Sequence, residues 1–315
     1  MTTTHSVQIP VVVVTGPTAS GKTEVAIELA EEFCGEIVNA DSMQVYRYLD
    51  IGTAKPSVAQ RARVSHHLLD FVAPDDAFNA GRYAREAARV VDELHARGAA
   101  VFLTGGTGLY IRAFLEGLLE SPGRDEAFRS RLEREHRSAV EAGDPELLHR
   151  RLRAVDEETA LRIHPHDVYR TMRALELHHT TGEPASVLRE RRSSRVARYR
   201  VLYLVIDHER EVLAERIERR CDAMIEGGLL SEVRELRARG YGPELPCMRA
   251  IGYRHMQPVL DGQESLAGVR ASMVRDTKQY ARRQRTWFRH VDGACWIVSG
   301  QRSALRDRVA AFLAA

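Results

Sequence analysis

Apolar and polar residues alternate along the first third of the chain in blocks whose lengths fit strands and helices in turn. The β-branched run IPVVVV at residues 9–14 predicts a buried strand. The segment TEVAIELAEEFCG then places Val25, Leu29 and Phe33 at helical spacing. Further strands are predicted from EIVNADS, less strongly from HHLLDFV, and from AAVFLTGGTG, which follows a predicted helix, AGRYAREAARVVDELHARG. This alternation predicts a parallel sheet with helices on both faces.

The pattern changes in the middle of the chain. From about residue 121 to 198 charged helical segments dominate and no apolar run suggests a strand, which predicts an all-helical insertion. The run YRVLYLVID, Tyr199 to Asp207, predicts a return to the sheet, after which the sequence is almost wholly helical to Arg289 before a short strand, CWIVSG. We therefore expect an α/β, P-loop NTPase-like parallel sheet built from residues 1–120 and 199–315, with the helical insertion at 121–198 and a helical C-terminal region.

A glycine-rich loop follows the first predicted strand. The stretch GPTASGKT, from Gly16 to Thr23, fits the phosphate-binding pattern GxxxxGK[ST]. Gly16 and Gly21 let successive backbone N–H groups point at phosphate oxygens, Lys22 supplies a positive charge, and Thr23 offers a hydroxyl to Mg²⁺. A strand before the loop and a helix after it supply the context that this motif needs.

An acidic residue follows the second predicted strand. Asp41 and Ser42 come at the end where ligands collect in a doubly wound parallel sheet. Either residue also suits the cap of a following helix, and this alternative stays open at the level of the residues alone. The continuation, DSMQVYRYLDIGTAKP, is a polar loop with little apolar periodicity, and polar loops on a rigid scaffold often carry binding residues.

A second glycine loop follows another predicted strand, in LTGGTGLY. Gly105 and Gly106 predict a close approach of a ligand to the backbone, and Thr107 supplies a hydroxyl and an amide. Two glycine loops and an acid at one sheet edge indicate an active site.

The composition is that of a globular protein. The 315 residues are 44% hydrophobic and 29% charged, and the formal net charge of +2 is too small to indicate nucleic-acid binding by itself. The N-terminal MTTTHSVQIP lacks a basic region, and its apolar run is too short for a signal peptide or a membrane span. Cys34, Cys221, Cys247 and Cys295 lack the spacing of a zinc site or a disulfide framework, so we expect a reduced cytoplasmic protein with no membrane partner.

Positive charge is concentrated near the C-terminus, in VRDTKQYARRQRTWFRH. Five basic residues step by threes and fours along one face of the predicted helix, with no acid in the stripe. They are Arg275, Lys278, Arg282, Arg285 and Arg289. A one-sided basic stripe favours a surface that binds a polyanion.

The phosphate loop alone leaves its ligand open. A small-molecule kinase or ATPase would need an aspartate after an apolar strand, and the candidate is Asp70 in HHLLDFV, a poor apolar run. The chain has no NKxD-like element for guanine. A third possibility is the diphosphate of a substrate that is not a nucleotide, and a fourth is an RNA-binding adaptor gated by a nucleotide.

An ordered set of segments across nearly the whole chain resembles a known family. GPTASGKT, DSMQVYRYLDIGTAKP, GGTGLY, RIHPHDVYRTMRALE, RAIGYR and RRQRTWFR closely resemble the bacterial tRNA dimethylallyltransferases. The resemblance implies transfer of a dimethylallyl group from dimethylallyl diphosphate to N6 of A37, the adenosine 3′ of the tRNA anticodon, with Mg²⁺ as cofactor. It also implies contact with the anticodon stem-loop, in part through the helical insertion, and a monomer.

The resemblance assigns roles to individual residues. It implies that Asp41 is the general base and that Lys22, Thr23 and Thr107 also act in catalysis, with Thr23 as a metal ligand. It implies a diphosphate site formed by Gly16, Pro17, Thr18, Ala19, Ser20, Gly21, Lys22, Thr23, Arg216 and Arg220. It implies tRNA contacts from Asp41, Ser42, Met43, Gln44, Thr107, Arg129, Arg170, Arg173, Arg249, Gly252, Tyr253, Arg254, Lys278, Arg282, Arg285 and Arg289. The chain departs from the family pattern at Val168 and Tyr169, where members commonly have Pro and Gln.

Overall fold

Successive side chains of the first strand pack on opposite faces of one sheet. The computed structural model describes residues 8–118, 123, 125–193, 198–298 and 302–315. Val11 and Val13 belong to the hydrophobic core on one face, and Val12 and Val14 belong to the core on the other. All four side chains are fully buried, as expected for a central strand with helices on both faces.

Six strands in the described part of the chain form one sheet in the order β3-β2-β4-β1-β5-β6, and every pair is parallel. Their carboxyl ends therefore share one edge of the sheet. The strands are β1 (Ile9–Thr15), β2 (Gly35–Asn39), β3 (His66–His67), β4 (Ala100–Gly105), β5 (Tyr199–Asp207) and β6 (Cys295–Val298).

Helices make up most of the remaining described chain. None of those helices is long and apolar enough to cross a membrane. The helices are α1 (Lys22–Glu32), α2 (Val58–Arg63), α3 (Ala80–Ala96), α4 (Gly108–Glu116), α5 (Glu126–Glu141), α6 (Leu147–Val155), α7 (Glu157–Arg162), α8 (Val168–Thr181), α9 (Ala185–Ser193), α10 (Arg210–Glu226), α11 (Leu229–Ala238), α12 (Tyr253–Leu260), α13 (Leu266–Arg289) and α14 (Arg302–Ala314), with a 3₁₀ turn at Pro246–Arg249.

The chain divides into two compact units. One comprises Met1–Leu115 with Ala197–Ala315 and holds the sheet, and the other is Glu116–Val196 and holds α5 to α9. The second unit has its own core, in which Leu132 and Leu152 are fully buried. Within the first unit, α10 to α13 enclose a separate apolar cluster that includes Met224, Tyr253 and Met273.

The predicted P-loop-like α/β fold is confirmed, with strands at the predicted places. The third strand is shorter than HHLLDFV suggested, because only His66 and His67 pair with β2. Leu68 and Asp70 adopt positive φ angles of 58° and 55°, which end the extended backbone. The predicted strand at Tyr199–Asp207 and the helical segment that ends at Arg289 match the structure.

Candidate active site

The phosphate loop passes tightly beneath the carboxyl ends of β1 and β5. Gly16 has a φ angle of 149°, and a Cβ atom there would lie 2.1 Å from the carbonyl oxygen of Ile206. The loop then enters α1 through Gly21, whose φ angle is 86°. Only glycine fits the first position, and the backbone amides that open α1 form the kind of terminus that binds anions.

Side chains from outside the loop hold its carbonyl groups. Arg216 Nε on α10 donates to the carbonyl oxygen of Ala19 at 2.7 Å, and Nε2 of His208 lies 2.9 Å from that of Ser20. With its carbonyls engaged on the outside, the loop keeps a concave inner surface for a ligand.

Two cations lie inside this surface. Burial, followed by the nearby Arg220 guanidinium, lowers the pKa of Lys22 to about 8, while Asp41 acts in the opposite direction. Burial also lowers the pKa of Arg220, whose guanidinium donates to the carbonyl oxygen of Thr53 at 3.4 Å. Two desolvated cations next to one carboxylate form a site that an anionic ligand would stabilise.

Asp41 both orders a turn and faces the cavity. Its Oδ1 accepts the backbone N–H groups of Met43 at 2.9 Å and Gln44 at 3.3 Å, so the capping alternative describes one part of its role. The carboxylate also lines two of the cavities described below. One carboxylate therefore fixes its own loop and is exposed to a ligand.

The second glycine loop makes close contacts with protein groups, and Gly105 also lines the smallest of the cavities described below. A Cβ atom on Gly105 would lie 2.2 Å from the carbonyl of Ala40, and one on Gly106 would lie 2.3 Å from Nε2 of Gln284. These glycines let the ends of β2 and β4 and the helix α13 come together.

Three cavities meet along this edge and share lining residues. A cavity of about 380 Å³ is lined by Lys22, Thr23, Arg216 and Arg219, and one of about 330 Å³ is lined by Asp41, Ser42, Met43, Arg249, Arg254 and Arg283. A smaller one of about 50 Å³ contains Lys22, Thr23 and Asp41 together. Arg220 lines all three. We call the first the loop cavity and the second the Asp41 cavity.

Comparison with known proteins shows the family to which the chain belongs. The family model described as IPP transferase matches residues 44–291. The chain belongs to the IPP transferase family. It is 49% identical over 290 residues to tRNA dimethylallyltransferase 2 of Geotalea uraniireducens, covering 92% of each chain, and 46% identical to tRNA dimethylallyltransferase 1 of Citrifermentans bemidjiense, covering 98% of each.

Solved structures of similar proteins agree. The full-length tRNA isopentenylpyrophosphate transferase of Bacillus halodurans superposes with a TM-score of 0.71 at 35% identity, covering 98% of this chain and 97% of the other. A eukaryotic dimethylallyltransferase, in a structure described as acting on tRNA, gives a TM-score of 0.76 at 26% identity, covering 96% of this chain and 78% of the other.

The segment RAIGYR is divided between cavity and core in this member of the family. Arg249 and Arg254 line the Asp41 cavity. Tyr253, by contrast, is fully buried; a Cβ atom on Gly52 would lie 2.4 Å from its ring, and its hydroxyl donates to Glu232 at 2.6 Å. Gly252, with a φ angle of 93°, is the turn between them. Tyr253 therefore packs against the loop at Gly52 and does not line the cavity.

The basic stripe on α13 is neutralised in part by acids from other elements. Lys278 pairs with Glu218 of α10 at 2.5 Å, and Arg285 pairs with the buried Asp207 at 2.8 Å. Arg282 and Arg289 are exposed. The sequence pattern could not show this, because both acids lie more than fifty residues from their partners.

The predicted tRNA-contacting arginines of the second unit differ in exposure. Arg129 is only 5% exposed and lies 5.0 Å from the ring centre of Tyr169, which is 63% exposed. Arg173 pairs with the fully buried Glu176 at 2.6 Å, whereas Arg170 is largely exposed. At Tyr169, where the chain departs from the family pattern, the ring thus shields a buried cation from solvent.

Sequence reasoning missed two residues of the site. Gln284 and Tyr280 on α13 both line the smallest cavity, and burial raises the pKa of the Tyr280 hydroxyl. A signal for Gln284 was present, because it shares the buried face of α13 with Thr277, Ala281 and Phe288. An amide on a mostly apolar helix face needs buried hydrogen-bond partners.

Sequence reasoning also overlooked an aspartate after an apolar strand. Asp207 ends β5, which pairs with β1, but its carboxylate is engaged by Arg285. Asp70, the candidate considered for a kinase, forms ion pairs with Lys55 and with Arg61. Neither acid is among the described residues that line the three cavities.

A metal ion would find few protein ligands. Among the described residues, no group of three or more His, Cys, Asp or Glu side chains could hold one. Thr23 nevertheless lines both the loop cavity and the smallest cavity. One hydroxyl together with ligand phosphates suits Mg²⁺, which keeps several waters and is held by few protein groups.

Proposed function

We propose that this protein transfers a dimethylallyl group from dimethylallyl diphosphate to N6 of A37, next to the anticodon of tRNA, and releases diphosphate. One observation carries the proposal: the cations of the phosphate loop and the Asp41 carboxylate line adjoining cavities that share Arg220. A diphosphate in the loop cavity and an adenine in the Asp41 cavity would meet between them. The names of the similar proteins support this pair of substrates.

The donor side of the site is suited to a diphosphate leaving group. As the C–O bond to the allylic carbon breaks, negative charge grows on the diphosphate. The loop amides, Lys22 and the guanidinium groups of Arg216 and Arg220 are placed to stabilise that charge, and so act more strongly on the transition state than on the ground state. Mg²⁺, held by Thr23 and the diphosphate, would supply further charge compensation.

The acceptor side supplies a base. The adenine amine is a weak nucleophile because its lone pair is delocalised into the ring. Asp41 accepts a hydrogen bond from N6 and then its proton as the new C–N bond forms, a role worth roughly 10² to 10⁴-fold for a general base. In this step the allyl group moves from oxygen to nitrogen, the N6 proton moves to Asp41, and diphosphate leaves.

The base must leave its stack to reach Asp41. Unstacking costs on the order of a few kcal/mol, which contacts to RNA phosphates offset. Arg249 and Arg254 at the Asp41 cavity and the exposed Arg282 and Arg289 of α13 are suited to those contacts. We propose that the basic residues of the helical insertion also contact RNA phosphates. We further propose that the protein acts in the cytoplasm and as a monomer.

A single-turnover reaction tests the proposal. Unmodified tRNA, dimethylallyl diphosphate and Mg²⁺ are combined with the enzyme without ATP, and the tRNA is digested and examined for prenylated adenosine. We expect one prenyl group per tRNA, at A37. Hydrolysis of ATP with no prenylated product would instead support the kinase or ATPase alternative. Binding of tRNA that changes with ATP, with no covalent product, would support the adaptor.

A further inference from the structure

The side chain of Gln284 connects the two glycine loops. From the buried face of α13, its Oε1 accepts the backbone N–H of Thr18 at 2.8 Å, and its Nε2 donates to the carbonyl oxygen of Gly106 at 2.9 Å. Gln284 is 6% exposed and lines the smallest cavity, which Lys22 and Asp41 also line. A single amide therefore pairs with the loop after β1 and the loop after β4.

These two hydrogen bonds fix the shape of the phosphate loop. The Thr18 N–H is committed to Gln284 and so is not aimed at a ligand, which leaves the amides nearer the start of α1 for phosphate. Gly106 has no side chain at the one place where Gln284 needs the space, since a Cβ atom there would lie 2.3 Å from Nε2. Buried amide groups with both partners satisfied hold neighbouring backbones in one geometry.

The same turn of α13 faces the acceptor side. Arg283, the preceding residue, lines the Asp41 cavity, and Arg282 is exposed. Arg285, the next residue, pairs with Asp207, which ends β5. A shift of this turn when a polyanion binds would therefore move the Gln284 amide against Thr18 and Gly106.

We propose that Gln284 is a positioning residue that couples nucleic-acid binding on α13 to the geometry of the phosphate loop, so that RNA and diphosphate each strengthen the binding of the other. The identity of the RNA rests on the proposed function. Coupling of this kind is reciprocal, because a change in one affinity requires an equal change in the other.

Calorimetric binding of inorganic diphosphate with Mg²⁺, with and without an unmodified tRNA anticodon stem-loop, tests the proposal. Gln284→Met keeps the length and packing of the side chain but removes both hydrogen bonds. We expect diphosphate to bind about tenfold more weakly to this variant, as for loss of a buried hydrogen-bonded partner, and the enhancement by RNA to disappear. Gln279→Met, at an exposed position on the same helix, is the matched control and keeps both.

Kinetics and folding separate positioning from a structural role. We expect Gln284→Met to raise the KM for the prenyl donor while its stem-loop affinity without diphosphate stays at the parent value. Its melting temperature should fall, because the Thr18 N–H and the Gly106 carbonyl lose their buried partner, but a cooperative transition above the assay temperature shows that the variant is folded. If Gln284→Met does not fold, Gln284→Asn replaces it. Asparagine is too short to reach both partners, so we expect the same changes in KM and affinity.

Three results would overturn the inference in whole or in part. Parent-like diphosphate affinity in a folded Gln284→Met or Gln284→Asn variant would remove the loop role. If the parent protein binds diphosphate equally well with and without the stem-loop, the proposed coupling is wrong, while the role of Gln284 in the loop still stands. Failure of the parent to bind the stem-loop at all would overturn the proposed function and the coupling with it, while the diphosphate measurement without RNA still decides the loop role.

Discussion

The backbone N–H of Ser42 donates to Oγ1 of Thr107 at 2.9 Å and joins loops that are 65 residues apart in the sequence. The Thr107 hydroxyl donates in turn to Oγ of Ser42 at 3.2 Å, and the Thr107 N–H donates to the carbonyl oxygen of Ala40 at 3.2 Å. Asp41 lies between the two residues held in this way. Thr107 thus fixes the backbone that carries the proposed base.

Thr107→Val tests that relationship. Valine keeps the shape of the side chain but cannot accept the Ser42 N–H, so the loop that carries Asp41 loses its anchor. We expect kcat to fall about tenfold, the cost of one buried hydrogen bond, with little change in the KM for the prenyl donor. Single-turnover rates measure the effect. Thr286→Val, at an exposed position of α13, serves as the control, and an unchanged rate in Thr107→Val would remove its positioning role.

Asp41→Asn separates catalysis from loop structure. The asparagine Oδ1 still accepts the Met43 and Gln44 amides, but the side chain cannot take the proton from N6. We expect transfer to slow by roughly 10² to 10⁴-fold while tRNA affinity stays at the parent value. Asp75→Asn, on the surface, should have no effect. A parent-like rate in Asp41→Asn would mean that another group accepts the proton.

The depressed pKa of Lys22 predicts a dependence of donor binding on pH. The ligand-free protein releases the Lys22 proton near pH 8, and the neutral amine binds diphosphate less well. We expect affinity for dimethylallyl diphosphate to fall as the pH rises through this value. Lys22→Met should bind dimethylallyl diphosphate more weakly at every pH. Its affinity should not show the decrease near pH 8, because the methionine side chain does not titrate. Parallel pH profiles for parent and variant would contradict the prediction.

The same pKa shift affects stability in the opposite direction. The unfolded chain keeps the Lys22 proton up to the ordinary pKa of 10.5, whereas the folded protein loses it near 8. Between these values the unfolded state binds more protons, so the Lys22 contribution to the free energy of unfolding rises with pH. Urea unfolding of the ligand-free parent and of Lys22→Met on either side of pH 8 measures the difference. A rise of equal size in both proteins would exclude Lys22 as its source.

The two kinds of basic residue on α13 should respond differently to substitution. Arg282→Ala and Arg289→Ala remove exposed charges, so we expect weaker tRNA binding, a salt dependence shallower by about one unit of slope each, and unchanged stability. Arg285→Ala leaves the buried Asp207 without its partner and should cost about 3 kcal/mol of unfolding free energy. Binding assays across salt concentrations and urea unfolding compare the two sets. Equal loss of stability in all three variants would contradict this division.

Local sequence patterns determined the elements and the loops of this protein. The apolar runs that became β1, β4 and β5, and the glycines and Lys22 of the phosphate loop, could be predicted because strand burial and phosphate binding depend on residues that are close together in the sequence. The position of Asp41 at the carboxyl edge followed from the same alternation of strand and helix.

Tertiary structure decided which charges remain exposed and which groups pack against the glycines of the second loop. Lys278 and Arg285 belong to the predicted stripe, yet acids from α10 and β5 neutralise them, and Gly106 makes room for Gln284. Such partners depend on how distant segments pack, and helical spacing within one segment contains no information about them. The hydrogen bonds from Gln284 on α13 to Thr18 and Gly106 depend on the packing of segments about 180 to 270 residues apart.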